Sequence, residues 1–196
     1  MKTLPFKAED LIGGAGAYSG QTRRSSISGV QDKVQLPRKR GGYEVVESGG
    51  THILKPVPRS GYMRLAEDVP PNEALTMDIA QRVFRIPVAR HELVRLADGE
   101  LAYLTERFDR QKGRKILQED FCQLSGRSPE THGANYKFVE LGACFGVVET
   151  EVYRDIERFP ACRGRVERLV EASALSAQAK ELYLAHFHGR LRAIAQ

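Results

Sequence analysis

Apolar positions along the chain change their period twice. The first 28 residues, with Gly13-Gly14-Ala15-Gly16 and Arg23-Arg24-Ser25-Ser26, show no apolar period and predict a flexible basic segment. From Gly29 onward short β-branched and aromatic runs predict strands at Val34 to Leu36, Tyr43 to Val46 and His52 to Lys55. Lys39-Arg40-Gly41-Gly42 and Ser48-Gly49-Gly50 supply the turns between them. Over 71–84 the spacing becomes helical, because Leu75, Ile79 and Val83 recur every four residues behind a candidate cap at Asn72. Strands return at Arg90 to Leu96 and Glu100 to Glu106, turned by Asp98-Gly99. After Gln118 every period is helical: Val152, Ile156 and Phe159 form one stripe, and Val166, Leu169 and Val170 a second. Leu184, Phe187, Leu191 and Ile194 line a last helix from about Ser176. The fold class read from this order is α+β in two lobes. An antiparallel β-rich lobe with one helix spans 29–112, and an all-helical lobe spans 113–196, with a hinge near 106–112.

Composition changes the picture in three places. With 196 residues and 41% hydrophobic content, the chain can bury one sizeable core or two smaller ones. Its net charge of +5 is uneven: residues 1–60 carry all of the excess of Lys and Arg over Asp and Glu. Such a basic region could meet phosphates, nucleic acid or an acidic partner, and it is equally the pattern of a solvated edge. Cys122, Cys144 and Cys162 are widely spaced and odd in number, which excludes a disulfide framework and a CxxC metal pattern. They are expected to be reduced, small core residues. No run of about eighteen apolar residues occurs, and Met1-Lys2-Thr3-Leu4-Pro5 opens without a signal-like apolar stretch, so a cytoplasmic protein without membrane contact is expected.

Three strings carry candidate chemistry. Ser26-Ile27-Ser28-Gly29-Val30-Gln31-Asp32-Lys33 sets hydroxyls and a glycine just before the first strand, where backbone N–H groups can approach an anion. The same string is also an ordinary polar loop. Lys55 closes the strand Thr51-His52-Ile53-Leu54-Lys55 before Pro56, and Glu73 at the head of the following helix is its natural acidic partner. A lysine so placed can hold nucleotide phosphates with an acid from the helix steadying it, or it can be a surface residue with a buried stem. Tyr103-Leu104-Thr105-Glu106-Arg107-Phe108-Asp109-Arg110 leaves the last strand as extended backbone able to meet the edge of an adenine, with Phe108 as an apolar wall. Its plain alternative is an exit loop with a buried aromatic.

The succession SxSGVQDK, HILKP, PxNE at a helix start, ERFDR and Gln118-Glu119-Asp120-Phe121-Cys122-Gln123 resembles that of HipA-type serine/threonine kinase toxins. The likeness covers roughly Ser26 to Ser128 and resumes near Tyr136, where Phe138 to Gly146 and the helices to Gln196 are similar to that family's C-terminal end. It implies a kinase-like two-lobe fold and a family activity of ATP-dependent phosphorylation of protein serine, with aminoacyl-tRNA synthetases as targets. Ser28, Gly29, Val30, Gln31, Asp32 and Lys33 would then form the phosphate loop, Lys55 would contact phosphates, and backbone at Glu106, Arg107 and Phe108 would hold adenine. Ser26 matches the serine these kinases autophosphorylate, and Ser28 adds a second hydroxyl, as in short HipT-like members. Those members work with a small HipS-like subdomain protein and a helix-turn-helix HipB-like antitoxin. ATP and magnesium are the cofactors the resemblance implies.

The sequence departs from that family where phosphoryl transfer is performed. Transfer needs an aspartate to position the attacking hydroxyl and Asp or Asn side chains to hold magnesium. After Asp120 the chain contains only Asp155 and Asn135, twenty residues apart and in the wrong order for the family's DxHxKN-like loop and later Asp. The stretch from Pro129 to Tyr136 runs directly from the beginning of the helical lobe to its end, so the expectation is a lobe without catalytic or metal residues. His186 and His188 are two apart on a helix and cannot chelate together; His52, His91 and His132 lack ligand neighbours at metal spacing. Two readings remain: an impaired HipA-like kinase, or a non-catalytic, pseudokinase-like module that binds an antitoxin. Direct nucleic-acid binding by the basic third has no recognition motif behind it.

Overall fold

The computed structural model describes residues 1–11, 32–59, 63–111, 114–119, 124, 126 and 138–194. Ser26, Ser28, Gly29, Val30 and Gln31 of the phosphate-loop string lie outside these residues, as do Asp120 to Gln123, Cys122, His132 and Asn135.

Strands β1 (Val34–Leu36), β4 (His52–Lys55), β6 (Leu101–Glu106) and β5 (His91–Arg95) form an antiparallel sheet in the order β1-β4-β6-β5. Hairpin strands β2 (Arg38–Lys39) and β3 (Gly42–Tyr43) connect β1 to the turn that leads into β4. A second hairpin, β7 (Arg110–Gln111) with β8 (Arg114–Lys115), follows the sheet and has no counterpart in the sequence expectations. One sheet face closes over a core that includes Val34, Leu36, Leu54, Val94, Ala102 and Leu104. The period-2 alternation dictates this, since register partners such as Val34 and Leu54, then Leu54 and Leu104, point the same way.

The opening residues depart from expectation. Instead of a mobile segment through residue 28, residues 1–11 pack as part of the sheet domain. Leu4 N–H donates to Arg95 O and Ala97 N–H to Phe6 O, each at 2.8 Å, and α1 (Ala8–Leu11) follows. Leu4, Phe6, Ala8 and Leu11 are all buried in the sheet core. These four buried residues, irregularly spaced in eleven, are too few to declare a period, yet they pack into the core under the sheet.

Helix α2 (Val69–Arg82) starts earlier than Asn72, after a 3-10 turn at Ala66–Asp68, with prolines in its first turn where a missing N–H costs nothing. It leans on β5 and β6 and sends Leu75, Ile79 and Val83 into a second core. That core is completed by Val166 and Val170 of α5 (Arg163–Glu171), by Leu175, and by Ala179 of α6 (Ala177–Ile194). Short α3 (Phe138–Cys144) and α4 (Glu149–Ala161) precede them, and the Phe159 ring of α4 meets Phe84 at 4.5 Å. The fold is thus mixed α+β, an antiparallel sheet followed by helices, as the pattern predicts. The cysteines differ from expectation: Cys144 is exposed, and Cys162 is half-buried beside the helical core. Among the described residues, no helix is long and apolar enough to cross a membrane.

Candidate functional site

The sheet face opposite the first core carries polar residues in a row. Lys55 on β4 stands level with Tyr103 on β6, and Tyr103 stands level with Leu93 on β5. Extending the β1–β4 register by one residue beyond Val34 and Leu54 brings Lys33 level with Lys55. Residues opposite one another in an antiparallel ladder share a face, so the two lysines project together. Glu73, in the first turn-and-a-half of α2, forms an ion pair with Lys55, and both side chains are about three-quarters buried. The Lys55 ammonium also lies 5.5 Å from the centre of the Tyr103 ring.

Electrostatics mark this row as a cation site with one acid in it. Burial pushes the Lys33 ammonium below its usual range, the nearby charge of Lys55 lowers it further, and Glu73 opposes both. Among the described residues, two ammonium groups therefore stand near the Glu73 carboxylate in a half-buried place. Beneath them Tyr103 is buried, and burial raises its phenol to about 12.

The strand exit after β6 forms the second part of the site. Arg107 N–H donates to Thr51 O at 2.8 Å, which ties the exit to the start of β4. The Arg107 guanidinium turns inward: Nε and Nη2 donate to the two carboxylate oxygens of Asp109 at 2.8 and 2.6 Å, and Nη1 donates to Gln35 Oε1 at 2.8 Å. Hydrogen bonding from Arg107 is the main reason the Asp109 carboxyl is held below its usual range. Within the stretch 106–112, Arg107 is thus bonded both to Asp109 and to Gln35. Phe108, by contrast, is 73% exposed, so the alternative of a buried aromatic does not hold. No described residue accepts a hydrogen bond from the Phe108 N–H.

The structure thus brings Lys33, Lys55 and Glu73 together, and sets the Glu106 to Phe108 exit on the strand next to Lys55. Asp32 is exposed at the mouth of β1, and Glu106 is exposed at the end of β6. Sequence reasoning missed Tyr103 in the floor and Gln35 in the clamp. For Tyr103 a signal existed, since two-residue alternation with Leu101 and Thr105 places it on the polar row.

Among the described residues no group of three His, Cys, Asp or Glu side chains is disposed to hold a metal ion. Asp155 is exposed on α4 and pairs with Arg158 at 3.0 Å. His188 meets Glu167 at 2.9 Å, and Glu167 also accepts from Arg163. Among the described residues of the helical part, no Asp and Asn pair is present to hold magnesium.

Three comparisons bear on this arrangement. Residues 25–174 match the family model described as the HipA-like C-terminal domain. A Sinorhizobium fredii protein named Putative kinase Y4mE is 35% identical over 145 residues, 70% of this chain and 32% of its own length. A Haemophilus influenzae protein named Putative kinase is 35% identical over 128 residues, 63% of this chain and 34% of its own. The chain therefore spans about a third of the length of these curated relatives. Among solved structures, a chain in the complex of HipA, HipB and operator DNA from the Shewanella oneidensis MR-1 toxin–antitoxin system superposes with a TM-score of 0.52 at 13% identity. That match covers 87% of this chain and 64% of the other, a likeness of fold.

Proposed function

The chain belongs to the HipA-like C-terminal domain family, and from that premise we propose that it is a kinase-like toxin–antitoxin protein that grips ATP phosphates without transferring them. The observation that carries this reading is the Lys55–Glu73 ion pair with Lys33 level beside it. A strand lysine steadied by a helix carboxylate is how kinase-like lobes hold nucleotide phosphates. The exposed Phe108 ring and the exit backbone beside it supply a flat apolar surface for the base.

Transfer is a separate requirement. The charge that develops on the migrating phosphoryl group is stabilised by metal ions and positioned acids, which supply much of the barrier reduction. This chain has no acidic pair to hold magnesium after Asp120, and Asp155 is engaged on an exposed helix. Neither autophosphorylation at Ser26 or Ser28 nor phosphorylation of an aminoacyl-tRNA synthetase is expected of it.

Calorimetric titration of ATP, with and without magnesium, tests the reading. The expected result is binding that depends little on magnesium and is abolished by Lys55→Ala. A radioactive ATP assay should leave the chain unlabelled, and label at Ser26 or Ser28 would overturn the loss of transfer. A second reading is favoured by the fold neighbour, which was solved with HipB and operator DNA. In it the chain is a non-catalytic module for a small antitoxin protein. No ATP binding, together with a stable complex with such a protein encoded alongside, would select that alternative.

A further inference from the structure

Gln35 is buried in the middle of β1, and its amide is the junction of a polar network linking three segments. Its Oε1 accepts from Arg107 Nη1 at 2.8 Å and from the Gly50 N–H at 3.3 Å, while its Nε2 donates to Glu47 O at 3.1 Å. The Gln35 carbonyl accepts from the Val46 N–H at 3.0 Å. Gly50 is what permits this closeness: a Cβ there would lie 2.8 Å from both Gln35 Cβ and Leu36 N. A buried amide satisfied on both its oxygen and its nitrogen is a rigid joint, because breaking any one bond strands a polar group away from water.

The placement of the joint gives it a role. Two residues earlier, just before β1, Lys33 stands level with Lys55 when the register is extended by one residue; two residues make one strand period, so both side chains share a face. At its other end the joint grips Arg107, whose bidentate hold on Asp109 bends the chain around Phe108. The segment 33–36 is thus a bar with the Lys33 cation at one station and the anchor of the β6 exit at the next.

We infer that Gln35 is a positioning residue of the nucleotide site, fixing the 106–109 exit for the base through Arg107 while Lys33 and Lys55 take the phosphates. It touches neither base nor phosphate itself. The inference rests on the proposed nucleotide-binding reading and adds a division of labour to it, with separate residues governing recognition of base and of phosphate.

Calorimetry with two probes, ATP and inorganic tripolyphosphate, separates the roles. Gln35→Leu keeps the volume but removes the joint, and Arg107→Lys keeps the charge but removes the fork. Each is expected to weaken ATP by about tenfold or more while leaving tripolyphosphate within about twofold, since one lost hydrogen bond to a charged group is worth about that factor. Lys55→Ala should lose both probes. Amide hydrogen exchange at 106–109 in the unliganded chain should quicken in Gln35→Leu and in Arg107→Lys, with the remainder of the sheet unchanged, which shows that each variant is folded. Equal loss of both probes in the Gln35 and Arg107 variants, or unchanged ATP affinity, would overturn the positioning role while a Lys55 effect left nucleotide binding standing. Failure of the unsubstituted chain to bind either probe would remove the nucleotide reading and this inference with it.

Discussion

Asp109 ties local chemistry to the stability of the whole chain. Its carboxylate is shielded, paired with Arg107 and approached by Arg110 at 3.8 Å, so the charged form is favoured on folding. A carboxyl whose folded pKa lies below its unfolded value contributes stability that is fully present above the ordinary pKa of 3.8 and is lost as pH falls through the lower folded value. Thermal midpoints measured from pH 6 down to pH 2 should therefore fall less steeply in Asp109→Asn than in the parent chain. The opposite limb belongs to Tyr103, whose phenol is raised to about 12 by burial and so contributes stability below its ordinary 10.0 that is lost as pH rises toward the folded value. Tyr103→Phe should flatten that alkaline decline in the same measurement. The Arg107, Asp109 and Gln35 side chains were not separable by motif. The ERFDR string shows a charged exit, whereas the inward turn of Arg107 depends on a partner 72 residues away.

At the scale of elements, a buried acid ties the start of α2 to the start of α6. Asp68 precedes α2 without capping it; its carboxylate instead accepts from Ser176 N–H at 2.6 Å and from Ser176 Oγ at 2.7 Å. Ser176 Oγ in turn accepts from the Ala179 N–H at 3.2 Å, capping the start of α6. One serine thus joins the heads of two helices. Ser176→Ala removes a cap and leaves Asp68 short of a donor, and should cost about 1–3 kcal/mol in urea titration with an unchanged slope. The far end of α2 is held by Arg165 Nη2, which donates to Arg82 O at 2.6 Å. Helix existence was legible from the period of Leu75, Ile79 and Val83. The true start at Val69 was not, because its neighbours Pro70 and Pro71 interrupt the apolar period while fitting the first turn.

The whole molecule rests on two cores that share no member, one under the sheet and one among the helices, with α2 resting on the sheet and filling the second. Leu104→Ala in the first should cost about 2–5 kcal/mol and Ile79→Val in the second about 0.5–1.5 kcal/mol. Because the clusters are separate, the double variant should lose the sum within about 0.5 kcal/mol by denaturant titration. A large departure from the sum would show that the two cores are coupled through α2. At this scale the family assignment and the geometry of the site meet. The Lys55–Glu73 pair lies where sheet and α2 come together, and among the described residues of the helices beyond it no group of three His, Cys, Asp or Glu side chains is disposed to hold a metal ion.

The sequence by itself determined the strand and helix periods, the pairing of a strand-end lysine with a glutamate at a helix head, and that Asp155 is the one aspartate after Asp120. All of these are written in residue type and short spacing, which the backbone reads directly. Tertiary structure alone decided that Leu4, Phe6, Ala8 and Leu11 are core, that Lys33 stands level with Lys55, and that Gln35 anchors Arg107. Each of those depends on register between strands or on contacts between distant segments, and a side chain's partner across a sheet is set by that register, not by its neighbours in the chain.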